Sequence, residues 1–430
     1  MINKPELLAP AGSREALVAA VENGADAVYM GCDVFSSRAY ATNFSEEELQ
    51  EAIDFAHIRE VKAYATVNTL VKDGEFEEAL NLLHRVCRMG ADAVIIQDIG
   101  LLVESRRAYP ALPVHASTQM TVHNLPAVQM LADLGVKRVV LAREMSLDEI
   151  ERIGACGTET EVFVHGALCI CYSGQCLMSS MIGGRSGNRG YCAQPCRRAY
   201  SLKENGRGRD TGGKYLLSPK DLCAARLIPA LAEAGVTSFK IEGRMKRPEY
   251  VAGVVRTYRT LIDRYVADPG SFRVSDEEIE YLLQLFNRGF TSSYPEGRKS
   301  GLMSRDNPAN RGLELGEVLG CDRGRVRIRL HRSLRQGDGI STGENGIQVT
   351  SLFRDNRRVK EASAGDIVEI PSPPVEKGVR VYRTSDSQQL DTLQKTFTSP
   401  HPLRKVPVDI EARIVAGKPV ELRLEADCCT

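Results

Sequence analysis

Six of the twelve cysteines in this chain of 430 residues fall between positions 169 and 223: Cys169, Cys171, Cys176, Cys192, Cys196 and Cys223. The others stand at 32, 87, 156, 321, 428 and 429. The start MINKPELLAPAGS lacks the charged-then-apolar order of a secretion signal, and crowded thiols in a chain without one more often bind metal or do redox chemistry than form disulfides. Cys169, Cys176, Cys192 and Cys223 are separated by six, fifteen and thirty residues. Thiolates converging from loops suit tetrahedral zinc or a [4Fe–4S] cluster. Neither the paired CxxC of a zinc ribbon nor the compact ferredoxin run is present, so the wide spacing fits a cluster held by long loops. The bland alternative, six small buried hydrophobes, is hard to reconcile with that density.

Other chemistry-bearing residues lie near the ends of apolar runs. His165 follows EVFV directly, where it either acts in catalysis or organises the cysteine loop by hydrogen bonding. Lys240, Glu242 and Arg244 alternate along SFKIEGR and share one face of a strand, with Glu242 paired to a basic neighbour; an inward ion-pair network is the competing reading. Gln119, His123 and Asn124 in STQMTVHN, together with Arg143, carry the same two readings. Arg185, Arg189, Arg197 and Arg198 surround the cysteines, and the stretch 323–335 is also rich in arginine. The guanidinium fork matches phosphate and carboxylate oxygens, which tilts these segments toward an RNA or a small anion over a merely solvated face.

The elements that must position these groups form a repeat. Four times a helix-like stretch ends in Gly and runs into a β-branched segment: ENGADAVYMG, RMGADAVIIQ, DLGVKRVVLA and EAGVTSFKIE. Ser13, and the capping boxes Ser45 to Glu48 and Ser146 to Glu149, mark helix starts. Strands are expected at 6–11, 27–31, 62–67, 93–98, 113–118, 138–143, 161–166 and 238–243. Eight near-continuous apolar strands alternating with helices predict a TIM-type (β/α)8 barrel, with polar residues at the C-terminal mouth. An open doubly wound sheet is the competitor, but the glycine-rich dinucleotide fingerprint is missing after the first strand.

The barrel is expected over 1–300, with the cysteine-rich insertion at about 167–237. Within it, YSLKENG and KYLLS suggest a hairpin, and PKDLCAARLIPALAEAG a helix. A small β-barrel domain is expected over 301–385, in which RVRIRL turns Val326, Ile328 and Leu330 inward and Arg325, Arg327 and Arg329 to solvent. Residues 386–430 read as the start of a further, incomplete domain.

Composition sets the bounds. Hydrophobic residues at 43% and charged residues at 26% exclude a disordered chain. Lys plus Arg (56) equals Asp plus Glu (56), so any basic surface must be local. No apolar run approaches the ~18 residues of a membrane span, and the reading is a cytoplasmic protein with no membrane partner.

ELLAPAGS, GADAVYMG, VHGALCICYSGQCLMSS, RSGNRGYCAQPCR, LLSPKDL and FKIEGRMKRPEYV together resemble the collagenase-like peptidase family, peptidase family U32, from residue 6 to about 300. Better-understood members are oxygen-independent hydroxylases. They form 5-hydroxycytidine in ribosomal RNA or 5-hydroxyuridine in tRNA, or act in ubiquinone hydroxylation, with a cysteine-bound iron–sulfur cluster and prephenate as oxygen source. RSGNRGYCAQPCR resembles the ribosomal-RNA branch more than the tRNA branch.

The resemblance implies a [4Fe–4S] cluster on Cys169, Cys176, Cys192 and a fourth thiolate. Cys223 is preferred, because the ubiquinone-type arrangement uses a distant cysteine, and Cys196 is its rival. It further implies prephenate as co-substrate and rRNA or tRNA as partner, with an accessory subunit or electron donor left open. The catalytic candidates are His165, Glu242, Arg244 and Arg143; the substrate-binding candidates are Gln119, His123, Asn124, Arg185, Arg189 and Lys240. The alternative is a metal-dependent collagenase-like peptidase, although HExxH is absent and no Ser or Cys nucleophile is identifiable beside a general base.

Overall fold

The computed structural model describes residues 4–292, 294–297, 301–342 and 346–425; Cys428, Cys429 and part of the Gly-rich stretch after 290 lie outside the described residues. Eight apolar runs become parallel strands in chain order: β1 (Glu6–Ala11), β2 (Ala27–Gly31), β3 (Lys62–Val67), β4 (Ala93–Ile96), β5 (Val114–Ala116), β6 (Arg138–Val140), β7 (Glu159–Ala167) and β8 (Ser238–Ile241). Each pairs with the next, and β8 closes the ring on β1 through Glu6↔Ser238. This is the (β/α)8 barrel. The runs expected to reach 98, 118 and 143 stop at Ile96, Ala116 and Val140, which puts Gln97, Ser117 and Arg143 on the mouth loops.

Helices cover the outside, and the capping signals behave as read. Ser45 and Ser146 each accept the N–H of a glutamate three residues on while that glutamate reaches back. The interior has two layers. Leu8, Tyr29, Tyr64 and Ile95 form an apolar cluster there. Below it, at the strands' N-terminal ends, lies an ionic net in which Arg138 is paired with Glu6, Glu159 and Glu161, and the Lys240 ammonium sits 2.7 Å from Glu161. Burying so many charges is tolerable only because each is paired and hydrogen-bonded.

The insertion departs from expectation in two places. Its hairpin is shorter, Lys203–Glu204 against Arg207–Gly208, turning on Asn205 and Gly206, both at positive φ. PKDLC is not helical: Asp221–Cys223 pairs antiparallel with the end of β7, held by Arg288, whose main-chain N–H and guanidinium both donate to the Asp221 carboxylate. The α-helix begins only at Ile228.

Beyond the barrel, eight short antiparallel strands curl into a half-barrel, with Leu313–Asp322 and Arg325–Leu330 at its centre. Val326, Ile328 and Leu330 are buried as the two-residue period requires. The chain then returns to the barrel: in helix Ser387–Thr398, Leu393 is fully buried in the barrel's main outer core. A hairpin follows, Asp409–Arg413 with Glu421–Glu425, and Ile410 and Leu422 on it are exposed. No helix among the described residues is long and apolar enough to cross a membrane.

If the returning helix is part of the barrel's own core, Leu393→Ala should cost about 2–5 kcal/mol through lost burial and a residual cavity. Denaturant unfolding measures this, and a loss below about 0.5 kcal/mol, the range of an ordinary surface substitution, would show that the helix merely rests on the barrel.

Candidate active site at the barrel mouth

The centre of the mouth is one carboxylate. Glu242, just beyond β8, receives Arg38 at 3.1 Å on one oxygen and Arg143 at 2.9 Å on the other. Burial alone would raise its pKa, but the positive charges of Arg38, Arg143 and Arg244 outweigh it and hold the carboxyl at about 2. Arg143 also stacks 3.8 Å above the Phe163 ring and donates to the Ala167 carbonyl, so it joins β6, β7 and β8. Arg244 is buried, and its donors go to neutral hydroxyls: Ser36 at 2.7 Å, Thr66 at 3.0 Å and Ser37 at 3.0 Å. Two guanidiniums thus share one carboxylate, and the charge of a third acts on it without a hydrogen bond.

Gly12 lets these parts meet. A Cβ there would stand 1.8 Å from the Arg244 carbonyl oxygen. Arg38 enters from the loop between β2 and the helix Glu46–His57, where Asn43 donates to the Arg38 carbonyl at 3.1 Å. Sequence reasoning passed over Arg38, Ser36 and Ser37. The length of that βα loop was the available signal, because such loops at the C-terminal face carry function.

Thiols gather beside this network: Cys169 is near Arg143 and Cys192 near Arg38, and Cys171, raised by burial, feels Cys176 and Cys169 as well. Cys169 feels the charges of Arg143, Cys176 and Cys192, and Cys196 feels Arg197, Cys169, Cys192 and Cys176; burial raises both thiols. A Cβ on Gly187 would stand 3.6 Å from both the Cys176 carbonyl oxygen and the Cys192 Cβ, so those two loops touch. The Ala193 N–H donates to Ser179 at 2.9 Å, tying the Cys192 loop to the helix after Cys176. Arg197 donates to the Leu168 carbonyl and the Ser218 hydroxyl, tying the Cys196 loop to the one bearing Cys169. Cys223 is elsewhere: it is held against Tyr258, with the Tyr258 oxygen 4.0 Å from its sulfur, and burial raises its pKa.

As a donor set, Cys169, Cys176, Cys192 and Cys196 have the soft-ligand chemistry of an iron–sulfur cluster, and Arg143 and Arg197 offset the negative charge such a group brings. The Gln194 N–H already donates to the Cys192 sulfur at 3.4 Å. Among the described residues no three His, Cys, Asp or Glu side chains are drawn together tightly enough to hold a metal ion as they stand. The folded chain brings the four thiols to one mouth without closing them into a coordination shell.

Several expected residues do other work. His165 is turned away from the mouth. The register between β7 and β8 slips at Lys240/Ile241, so Val164 and His165 both face the helix layer, and His165 packs on Tyr250, Tyr258 and Phe290. Lys240 points down into the ionic net on Glu161. Asn124 caps the helix Leu125–Asp133 by accepting the Ala127 N–H, and exposed His123 bonds the Thr121 carbonyl. Gln119 is structural, donating to the Asn68 carbonyl at 3.1 Å. Arg189 commits its fork to Glu75 at 2.8 and 2.9 Å. Arg185 alone of the expected substrate-binding residues is free at the rim, where it lies 5.1 Å over the exposed Tyr40 ring.

The model of the family described as Peptidase family U32 matches residues 12–305. A 23S rRNA 5-hydroxycytidine synthase of Escherichia coli (strain K12) is 39% identical over 346 residues, 78% of this chain and 52% of that protein, so the chain spans about half its length. The tRNA hydroxylation protein P1 of Bacillus subtilis (strain 168) is 40% identical over 301 residues, 68% of this chain and 71% of that protein. A collagenase of Porphyromonas gingivalis (strain ATCC BAA-308 / W83) is 36% identical over 415 residues, 89% of this chain and 98% of that protein.

The buried position of His165 gives a pH prediction. Burial, aided by the nearby Lys246 ammonium, pushes its pKa down from 6.5 to about 3. Between those values the unfolded chain binds a proton that the folded chain refuses, so this contribution to stability is complete above pH 6.5 and is lost as pH falls toward 3. Thermal midpoints from pH 7.5 to 4.5 should fall with acid in the parent chain and fall less steeply in His165→Phe; parallel slopes would contradict the burial.

Proposed function

The chain belongs to peptidase family U32, and from that premise we propose that it is an oxygen-independent RNA hydroxylase, forming 5-hydroxycytidine in rRNA or 5-hydroxyuridine in tRNA. The observation that carries this reading is the gathering of cysteines beside a carboxylate paired with two guanidiniums and flanked by a third, at the barrel end where such folds keep their chemistry. The two relatives whose names state RNA hydroxylation support it.

In this reading Cys169, Cys176, Cys192 and Cys196 hold a [4Fe–4S] cluster, and Cys196 replaces the distant Cys223. When bound, the cluster supplies one-electron transfer. The protein's own part is electrostatic. Arg38, Arg143 and Arg244 exceed Glu242 by two charges, and this excess suits a small dicarboxylate co-substrate such as prephenate, which supplies the oxygen atom. Glu242 stays ionised throughout the physiological range and fixes the guanidiniums in place. An electron donor or accessory subunit completes the system, in a cytoplasmic setting.

The peptidase alternative rests on the collagenase relative, which matches 89% of this chain. Against it, His123 bonds a main-chain carbonyl, and His165, turned away from the mouth, bonds Tyr258, so neither is hydrogen-bonded to a Ser or Cys nucleophile.

Two experiments test the proposal. Anaerobically purified protein should carry about four iron and four sulfide per chain, with Cys196→Ala losing the iron and Cys223→Ala keeping it; stoichiometric zinc without acid-labile sulfide would sink the reading. Nucleoside mass spectrometry of RNA from a deletion strain should show loss of one 5-hydroxypyrimidine and its return with the parent gene but not with Glu242→Gln. An unchanged nucleoside profile in the deletion strain would overturn it.

A further inference from the structure

The arginines of this chain divide into those already answered and those left open. On the half-barrel, Arg325 and Arg327 both lie near Glu369, at 3.5 and 3.8 Å, and Arg325 stacks on Phe353. Their line of positive charge is therefore broken by a carboxylate on the neighbouring strand. Arg189 is bound to Glu75. Among the described residues, exposed Arg185 and Arg198 have no carboxylate partner, and both line one cleft of about 420 Å³ at the barrel rim.

That cleft has an aromatic wall. The wall is Tyr40, 50% exposed, and Tyr191 backs it from outside the lining, edge to face with centroids 5.9 Å apart. The pairing is built into the chain: Gly190 has φ +85°, and a Cβ there would stand 2.4 Å from the Ser36 carbonyl oxygen, so only glycine lets the insertion settle on the loop that carries Tyr40. Met245, half exposed, stands at the same cleft. Cys192 and Arg197 line it too, so whatever lies against Tyr40 is next to the thiols.

We propose that this cleft seats one unstacked nucleotide of a single-stranded RNA, with its base on the Tyr40 ring in the place the Arg185 guanidinium holds in the free chain, and with its flanking phosphates on Arg198 and on the Arg185 thereby displaced. The inference rests on the RNA-hydroxylase reading and names the part of the site that receives the target. An exposed ring offers a face to any base once the base has left its own stack, while a duplex keeps those faces covered. Guanidiniums free of carboxylates can take phosphate without first breaking an ion pair. The cleft's volume lies within the ~300–1,000 Å³ of small-ligand sites, enough for one nucleotide.

Fluorescence anisotropy on the full chain tests this, with a labelled ten-nucleotide single-stranded RNA and the same strand annealed to its complement as probes. Tyr40→Ala should weaken binding of the single strand about 5- to 100-fold, the range of one base–aromatic stack, while Tyr40→Phe, which keeps the ring, stays within about twofold. Arg185→Gln with Arg198→Gln should flatten the slope of log affinity against log salt by about 1.4, at about 0.7 per phosphate on a single strand. Parent-like affinity in Tyr40→Ala, or equal losses for single strand and duplex, would overturn the subsite. If Tyr40→Ala binds like the parent while the parent gene still restores the hydroxylated nucleoside in cells, the subsite alone fails. If the parent gene restores nothing, it is the hydroxylase reading that falls.

Discussion

A buried carboxylate that answers two guanidiniums from different parts of the chain, with a third beside it, fixes the geometry of the whole mouth. Glu242 stands at the end of β8, Arg143 just past β6 and Arg38 in the long loop after β2, so one ion network fastens three sectors of the barrel rim. Removing the carboxylate would leave three buried or half-buried cations facing one another, the situation in which broken ion pairs cost most. The Arg244 guanidinium depends on the same arrangement, because its hydroxyl partners Ser36 and Ser37 sit beside Arg38. The cysteine insertion is anchored there as well, through the Arg143 bond to the Ala167 carbonyl. The network therefore sets the base on which the thiol loops rest.

Above that base the insertion is held by short polar ties rather than by a core of its own. Arg197, Ser179 and Gly187 bring the cysteine loops together, while Gly190 seats the far side of the insertion on the Tyr40 loop. The result is a layered site, with structural ion pairs at the barrel floor, a cationic ring at the mouth, thiols beside it and an aromatic cleft at the rim. Charge becomes less neutralised from bottom to top. Arg138 at the floor is surrounded by Glu6, Glu159 and Glu161, whereas Arg185 and Arg198 at the rim face solvent.

Much of this was legible in the residues. Period-two and period-3.6 patterns and Gly caps located all eight barrel strands, and polar residues at several strand ends, Gln97, Arg143 and Glu242 among them, marked the mouth. The positions of Glu242, Arg143 and Arg244 at the mouth were legible because alternation in SFKIEGR and position after β6 require little tertiary knowledge. His165 was misplaced for a physical reason: a single register slip between β7 and β8 reverses the face of a side chain, and nothing in EVFVHG announces it. Arg189 was unreadable because Glu75 is 114 residues away. Asn124 could have been recognised, since an Asn one residue before Leu-Pro is a helix cap before it is a ligand. That Cys196 lies with Cys169, Cys176 and Cys192 while Cys223 lies against Tyr258 depends on where two loops fold back, information that cysteine spacing does not contain.

The central claim is that four loop thiols beside the Glu242 network form the metal-binding heart of the site. Iron-edge anomalous scattering from crystals grown without oxygen tests it most directly, because it places the metal independently of activity. The account predicts one compact anomalous peak bounded by the sulfurs of Cys169, Cys176, Cys192 and Cys196, on the mouth side of Arg143. A peak bounded by Cys223 on the Tyr258 side of the barrel, or anomalous signal at the zinc edge alone, would contradict it.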